Sequence, residues 1–261
     1  MSLRATSDAF GQALILWEAG SDDAAALLFQ RVVNDDPDHG RAWEYLGLAA
    51  WRRGDLKKTL TCLETASLLV PLRPEAMCGL AECYAAQRRL ELAHLLYHRA
   101  VRDQRSSVGI LLMAAAGADA IDAPSLSLVA CRRALQLEPE AAQAYYDMGY
   151  YLGRLGRPHS MIEAAARRAI HLAPDHVQYR LGLASFLHTH GRSDEAYEVV
   201  RRISARQIRD IGCVCCLERM AGLFESIGDG LRSEWCRHRA DDLKTNDEHW
   251  SPGEGDPPMN D

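Results

Sequence analysis

The sequence predicts an all-α chain, a solenoid of six or seven helix–turn–helix repeats. Three observations predict it. Small residues recur at a fixed period, glycine recurs seven residues after them, and proline recurs at the far end of the same period. Ala13, Gly47, Ala81, Ala115 and Gly149 stand 34 residues apart, and Ala184 follows after 35. Seven residues on come Gly20, Gly54, Arg88, Asp122, Gly156 and Gly191. Pro37, Pro71, Pro139 and Pro174 close four of the repeats.

Each period reads as two antiparallel helices. Small residues let the paired helices approach, and apolar residues at helical spacing give each helix a stripe to bury. The glycine ends the first helix in a left-handed turn. In the second helix Ala25, Thr59, Ala93, Ser127 and Ala196 share a position, with Ile162 displaced by a one-residue insertion. Then come Phe29, Leu63, Tyr97, Cys131, Ala166 and Val200, followed by Val32, Ala66, Ala100, Ala134, Ala169 and Ile203. Proline stops the second helix, because it lacks an N–H and clashes with the preceding turn. No repeat buries its stripe alone, so the repeats must stack.

The repeats run over 6–39, 40–73, 74–107, 108–141, 142–176 and 177–210, and the insertion falls at Arg157-Pro158-His159. A seventh, degenerate repeat covers about 214–247, with Leu217, Met220, Ala221, Phe224, Gly228, Ser233 and Ala240. It follows extra residues around Gln207–Cys213. Two departures stand out. The fourth repeat lacks a large aromatic and the turn glycine, and its turn reads Asp122-Ala123-Pro124. It is expected to be distorted, with hydrogen exchange fastest near Gly117–Ser125. The third repeat has Arg105 where the closing proline is expected. The solenoid is assigned to 1–243, and the polar, Pro-, Gly- and acid-rich residues 244–261 to a disordered tail.

The repeat at 40–73 carries Trp43, Leu46, Gly47, Gly54, Leu63, Ala66 and Pro71. In these residues and their register the chain resembles the tetratricopeptide repeat family over nearly all its length. The resemblance implies a right-handed superhelix whose first helices line a concave groove. A peptide or amphipathic helix of a partner protein would bind there, making the chain a scaffold or adaptor and not an enzyme. Positions 5, 9 and 12 of each first helix share one face. On that face the expected groove residues are Phe10, Leu14, Trp17, Leu48, Trp51, Tyr146, Tyr150, Arg154 and His188. Trp17 and Trp51 occupy the same position in adjacent repeats, where they either meet a partner or pack on the neighbouring helix. Some family members clamp a terminal carboxylate with Lys and Asn. The corresponding positions here are Phe10, Leu14, Tyr45, Leu48, Glu75 and Gly79, so no such clamp is expected.

Composition narrows the function classes. The 261 residues are 48% hydrophobic and 25% charged, with a net charge of -6 and no long basic run, which argues against nucleic acid as a partner. No basic leader precedes an apolar core at the N-terminus, and the apolar stretch from Ile110 to Ala118 is too short to span a bilayer. A cytoplasmic protein with eight reduced cysteines is expected. No phosphate loop, GxSxG or HExxH motif is present, and no cofactor is expected. One cluster needs weighing: Cys213-Val214-Cys215-Cys216, in which Cys213 and Cys216 form a CxxC, with Cys236 and His238 one helix later. It reads as small core side chains, as a zinc site or as a redox pair. A further alternative puts Trp250 of the tail into the chain's own groove. An uncapped end repeat also leaves room for self-association.

Overall fold

The computed structural model describes residues 3–246, and all fifteen elements among them are helices. The first is α1 (Leu3–Glu18), followed by α2 (Asp22–Asp35), α3 (Gly40–Arg52), α4 (Leu56–Leu69), α5 (Pro74–Ala86) and α6 (Leu90–Arg102). The alternation continues with α7 (Val108–Ala120), α8 (Pro124–Leu137), α9 (Ala142–Arg154), α10 (His159–Leu172), α11 (Val177–Thr189) and α12 (Ser193–Val200). A short α13 (Ala205–Arg209) precedes the last pair, α14 (Val214–Ser226) and α15 (Gly230–Asn246). Lys244, Thr245 and Asn246, expected at the start of the tail, close α15. The remainder of that segment, with Trp250, lies outside the described residues. The helices fall into two compact units, Met1–Ile162 and Glu163–Asp261.

One turn is used seven times among the described residues. Gly20, Gly54, Gly156, Gly191 and Gly228 have positive φ, and so do Arg88 (60°) and Asp122 (59°). The next residue's N–H returns to the carbonyl five residues before it: Ser21 to Leu16, Asp55 to Ala50, Arg89 to Tyr84, Ala123 to Ala118, Arg157 to Leu152, Arg192 to Leu187 and Asp229 to Phe224, all at 2.8–3.0 Å. This six-to-one bond closes the helix and satisfies a carbonyl that would otherwise be orphaned. The fourth repeat therefore keeps the shared turn without its glycine. Its helices are also stitched together, because the buried Ser127 hydroxyl donates to the Ala115 carbonyl at 2.7 Å. Ser233 does the same to Ala221 at 3.0 Å in the last pair. The distortion expected in the fourth repeat is not found.

The third repeat replaces its missing proline with charge. Arg105 forks onto the Asp103 carboxylate through Nε (3.0 Å) and Nη2 (2.6 Å). Arg105 Nη2 also donates to the Leu72 carbonyl at 3.2 Å. The Arg105 guanidinium holds the Asp103 carboxyl down at about 2, against the smaller upward push of burial.

Close approaches fix the spacing of helices in the N-terminal unit. A Cβ on Gly47 would meet Leu63 at 2.6 Å, and one on Gly117 would meet the Tyr97 ring at 2.3 Å. Phe29, Val32, Ala13, Ala42 and Leu46 form its first core cluster. In the C-terminal unit Leu183, Leu187, Val200, Leu217 and Phe224 form the core. Ile203, Ile208 and Ile211 fill the stretch around α13, which starts at a Ser204–Gln207 capping box. The extra residues between the sixth and seventh repeats are thus packed.

Candidate functional site

The expected groove residues of the first two repeats are largely engaged by their neighbours. The Trp17 ring meets Tyr45 edge-on at 5.5 Å, and the Arg52 guanidinium lies 3.8 Å over it. Arg52 is itself held by Asp22 (3.1 Å) and Glu75 (3.4 Å). Phe10 packs against His39 at 4.5 Å and Phe29 at 5.8 Å. Leu14 is half-buried against the same cluster. Leu48 is 0% exposed, which corrects its placement on an open face: it is a core residue. Trp51 lies against Gly79, where a Cβ would come within 2.9 Å of the ring, and its indole N–H donates to Glu82 at 2.7 Å. So of the two choices for the tryptophan pair, packing on the next repeat describes both. The residue met by each tryptophan stands 28 positions on, Tyr45 for Trp17 and Gly79 for Trp51.

Glu44, another position-5 residue, is fully buried. Its carboxylate accepts from Arg41 Nη1 at 2.6 Å, from the Arg73 backbone N–H at 2.6 Å and from Arg73 Nε at 3.1 Å. Arg73 also donates to the Tyr45 hydroxyl at 2.8 Å and stacks 4.1 Å over that ring. This network ties α3 to the start of α5. Sequence reading missed it, because a glutamate at a groove position carries no mark of burial.

Among the first helices of the N-terminal unit, α7 and α9 present large exposed side chains. Tyr150 on α9 is 51% exposed, and Met113 on α7 is 39% exposed. Among the described residues Tyr150 is the one exposed aromatic. Its ring meets Tyr151 at 5.4 Å on the inner side. Arg154 spans to Asp119 and Asp122, both at 2.6 Å, so α7, its turn and α9 are pinned together beside Tyr150. Tyr146 is half-buried on the same helix. Burial raises the neighbouring Asp147 carboxyl, and the Gln143 hydrogen bond opposes the shift. In the C-terminal unit His188 is half-buried, with Nδ1 2.9 Å from the Ser193 hydroxyl, inside the turn between α11 and α12.

The cysteine cluster is not the one expected. Cys236 is 1% exposed in the core, and burial pushes its thiol up to about 11. His238 is 80% exposed and pairs with Asp242 at 3.2 Å. Neither joins Cys213 and Cys216. Their companion is Cys215, whose Sγ lies 3.1 Å from that of Cys213. The reason is periodicity: Cys236 faces the α14–α15 seam with Ala240, and His238 stands on the opposite side of α15.

Comparison with known proteins places this architecture. A tetratricopeptide repeat profile matches residues 10–58, 60–108 and 146–207. A tetratricopeptide repeat protein from Parabacteroides merdae superimposes with a TM-score of 0.65 at 12% identity, covering 94% of this chain and 95% of that one. YrrB, described as a TPR protein with an unusual peptide-binding site, superimposes with a TM-score of 0.55 at 15% identity, over 70% of this chain and 90% of its own. These two likenesses are of fold. The probable biofilm formation methyltransferase WspC of Pseudomonas putida is 35% identical over 92 residues, 35% of this chain. The chain spans 22% of the length of that curated relative. No helix among the described residues is long and apolar enough to cross a membrane. With its 34-residue period, its repeated left-handed turn and a matching profile over more than half its length, the chain belongs to the tetratricopeptide repeat family.

Proposed function

We propose that this chain is a protein-binding adaptor, and that the first-helix face around Tyr150 takes a segment of its partner. The supporting observation is exposure: Tyr150 offers half its surface to water, while every other Phe, Trp and Tyr among the described residues is half-buried or buried. An amphipathic ring on a rigid helix is the type of residue that dominates binding energy once a partner dries it. The Asp119–Arg154 pair supplies a polar flank. That mixture suits an amphipathic helix or a strand with one apolar anchor. Membership of the repeat family supports protein binding as the class of function, and the peptide-binding site named for YrrB is consistent with it. In this reading the chain does no chemistry of its own, and the activity in the methyltransferase's name stays with that protein. A cytoplasmic location fits eight cysteines outside any disulfide.

The test is affinity purification from native extract, wild type beside Tyr150→Ala, with mass spectrometry of the co-eluting proteins. The adaptor reading expects a protein retained by the wild type and depleted about tenfold or more by the variant, the effect of losing one hot-spot ring. Identical sets from two equally folded baits would sink this placement of the interface.

A further inference from the structure

Three thiols converge where α14 begins. Cys213 is the N-cap of that helix, and its Sγ accepts the Cys216 N–H at 3.2 Å. An N-cap side chain and the residue three positions on lie on the same side of a helix start, which brings Cys216 beside Cys213. Cys215 completes the set, and the three Sγ atoms lie within 4.8 Å of one another. A zinc–sulfur bond of about 2.3 Å in tetrahedral array separates sulfurs by about 3.8 Å, within the reach of this cluster. The cluster is also open, since Cys215 is exposed and the other two are half-buried.

The remaining cysteines are different. Cys62, Cys78, Cys83, Cys131 and Cys236 are buried core side chains, and burial pushes their thiols up to about 11 or 12. At Cys213 burial also acts upward. The hydrogen bonds from Cys216 and Cys215, the Cys216 amide and the nearby Arg219 charge outweigh it and lower the thiol.

We propose that Cys213, Cys215 and Cys216 form a three-thiolate site for one thiophilic cation of the zinc(II) or copper(I) class. Soft sulfur ligands select such ions. Binding exchanges three S–H protons for three metal–sulfur bonds; the protons go to solvent and no electron moves. Zinc would complete its tetrahedron with water, whereas copper(I) accepts three sulfurs. A bound ion would fasten the residues after α13 to the first turn of α14.

The full chain, metal-free and reduced with a non-thiol reductant, is titrated with zinc(II) and separately with copper(I) against a chromophoric chelator. Capture of one equivalent of either ion is expected. Cys213→Ser, Cys215→Ser and Cys216→Ser should each weaken it at least tenfold, and Cys236→Ser should leave it unchanged. Serine is itself a favoured N-cap, so Cys213→Ser removes a thiolate while keeping the helix start; far-ultraviolet circular dichroism checks that each variant is folded. The site is overturned if the reduced chain captures neither ion. It is equally overturned if capture survives in all three serine variants or depends on Cys236.

Discussion

Glu44 is a carboxylate with no access to water, and its partners help tie the second repeat to the third. Arg73 supplies two of its three hydrogen bonds, one from the backbone and one from the guanidinium. Arg73→Ala keeps the backbone bond and Arg41 but strands much of a buried charge, which should cost about 3 kcal/mol. Urea unfolding followed by circular dichroism would read it as a lower midpoint. A midpoint unchanged from wild type would show that Arg41 alone neutralises the site. Asp103 provides a test in pH. Its folded carboxyl sits at about 2, below the ordinary 3.8. The ionised form is therefore the stabilised one: its contribution is full well above pH 3.8 and is lost as pH falls through about 2. Asp103→Asn should be less stable than wild type at pH 7, and the gap should close between about pH 4 and pH 2. A gap independent of pH would mean that Arg105 is not held by charge.

At the scale of the element, the helix pairs were legible in the sequence, and their contacts were not. Glycine seven residues after the small position marked five of the seven turns, and the same turn occurs where Arg88 and Asp122 stand instead. A missing glycine was a poor guide to distortion because the hydrogen-bond pattern of the turn, and not glycine alone, fixes the conformation. Arg88 still carries the steric cost of a Cβ in the left-handed region, about 1 kcal/mol. Arg88→Gly should thus raise the unfolding free energy by up to that amount, less the extra chain entropy glycine brings to the unfolded state, and move the urea midpoint upward. A lowered midpoint would show that the Arg88 side chain contributes more than its strain costs. The tryptophans illustrate the other limit. Their spacing identified one position in two repeats. Whether a ring stays open depends on the residue 28 positions later, and Gly79 leaves a hollow that Trp51 fills. Cys215 stood in the same run, but the CxxC spacing drew attention to Cys213 and Cys216 as ligands, while the fold brings the Cys215 thiol beside theirs.

At the scale of the whole molecule, the family followed from periodicity, which survives substitution at any one site. The candidate face did not, because exposure depends on which neighbouring side chains cover each ring. Phe10, Trp17 and Trp51 are occupied by neighbours, and Leu48 is core, whereas Tyr150 stays open. The most direct measurement of partner binding at this face is site-specific photocrosslinking in native extract. A photoreactive phenylalanine analogue replaces Tyr150 in one chain. In a control chain it replaces Leu95, which is 51% exposed on the second helix α6. Binding along the first helices predicts a discrete crosslinked partner from position 150 and none of the same mass from position 95. The same adduct from both positions, or one from Leu95 alone, would contradict it.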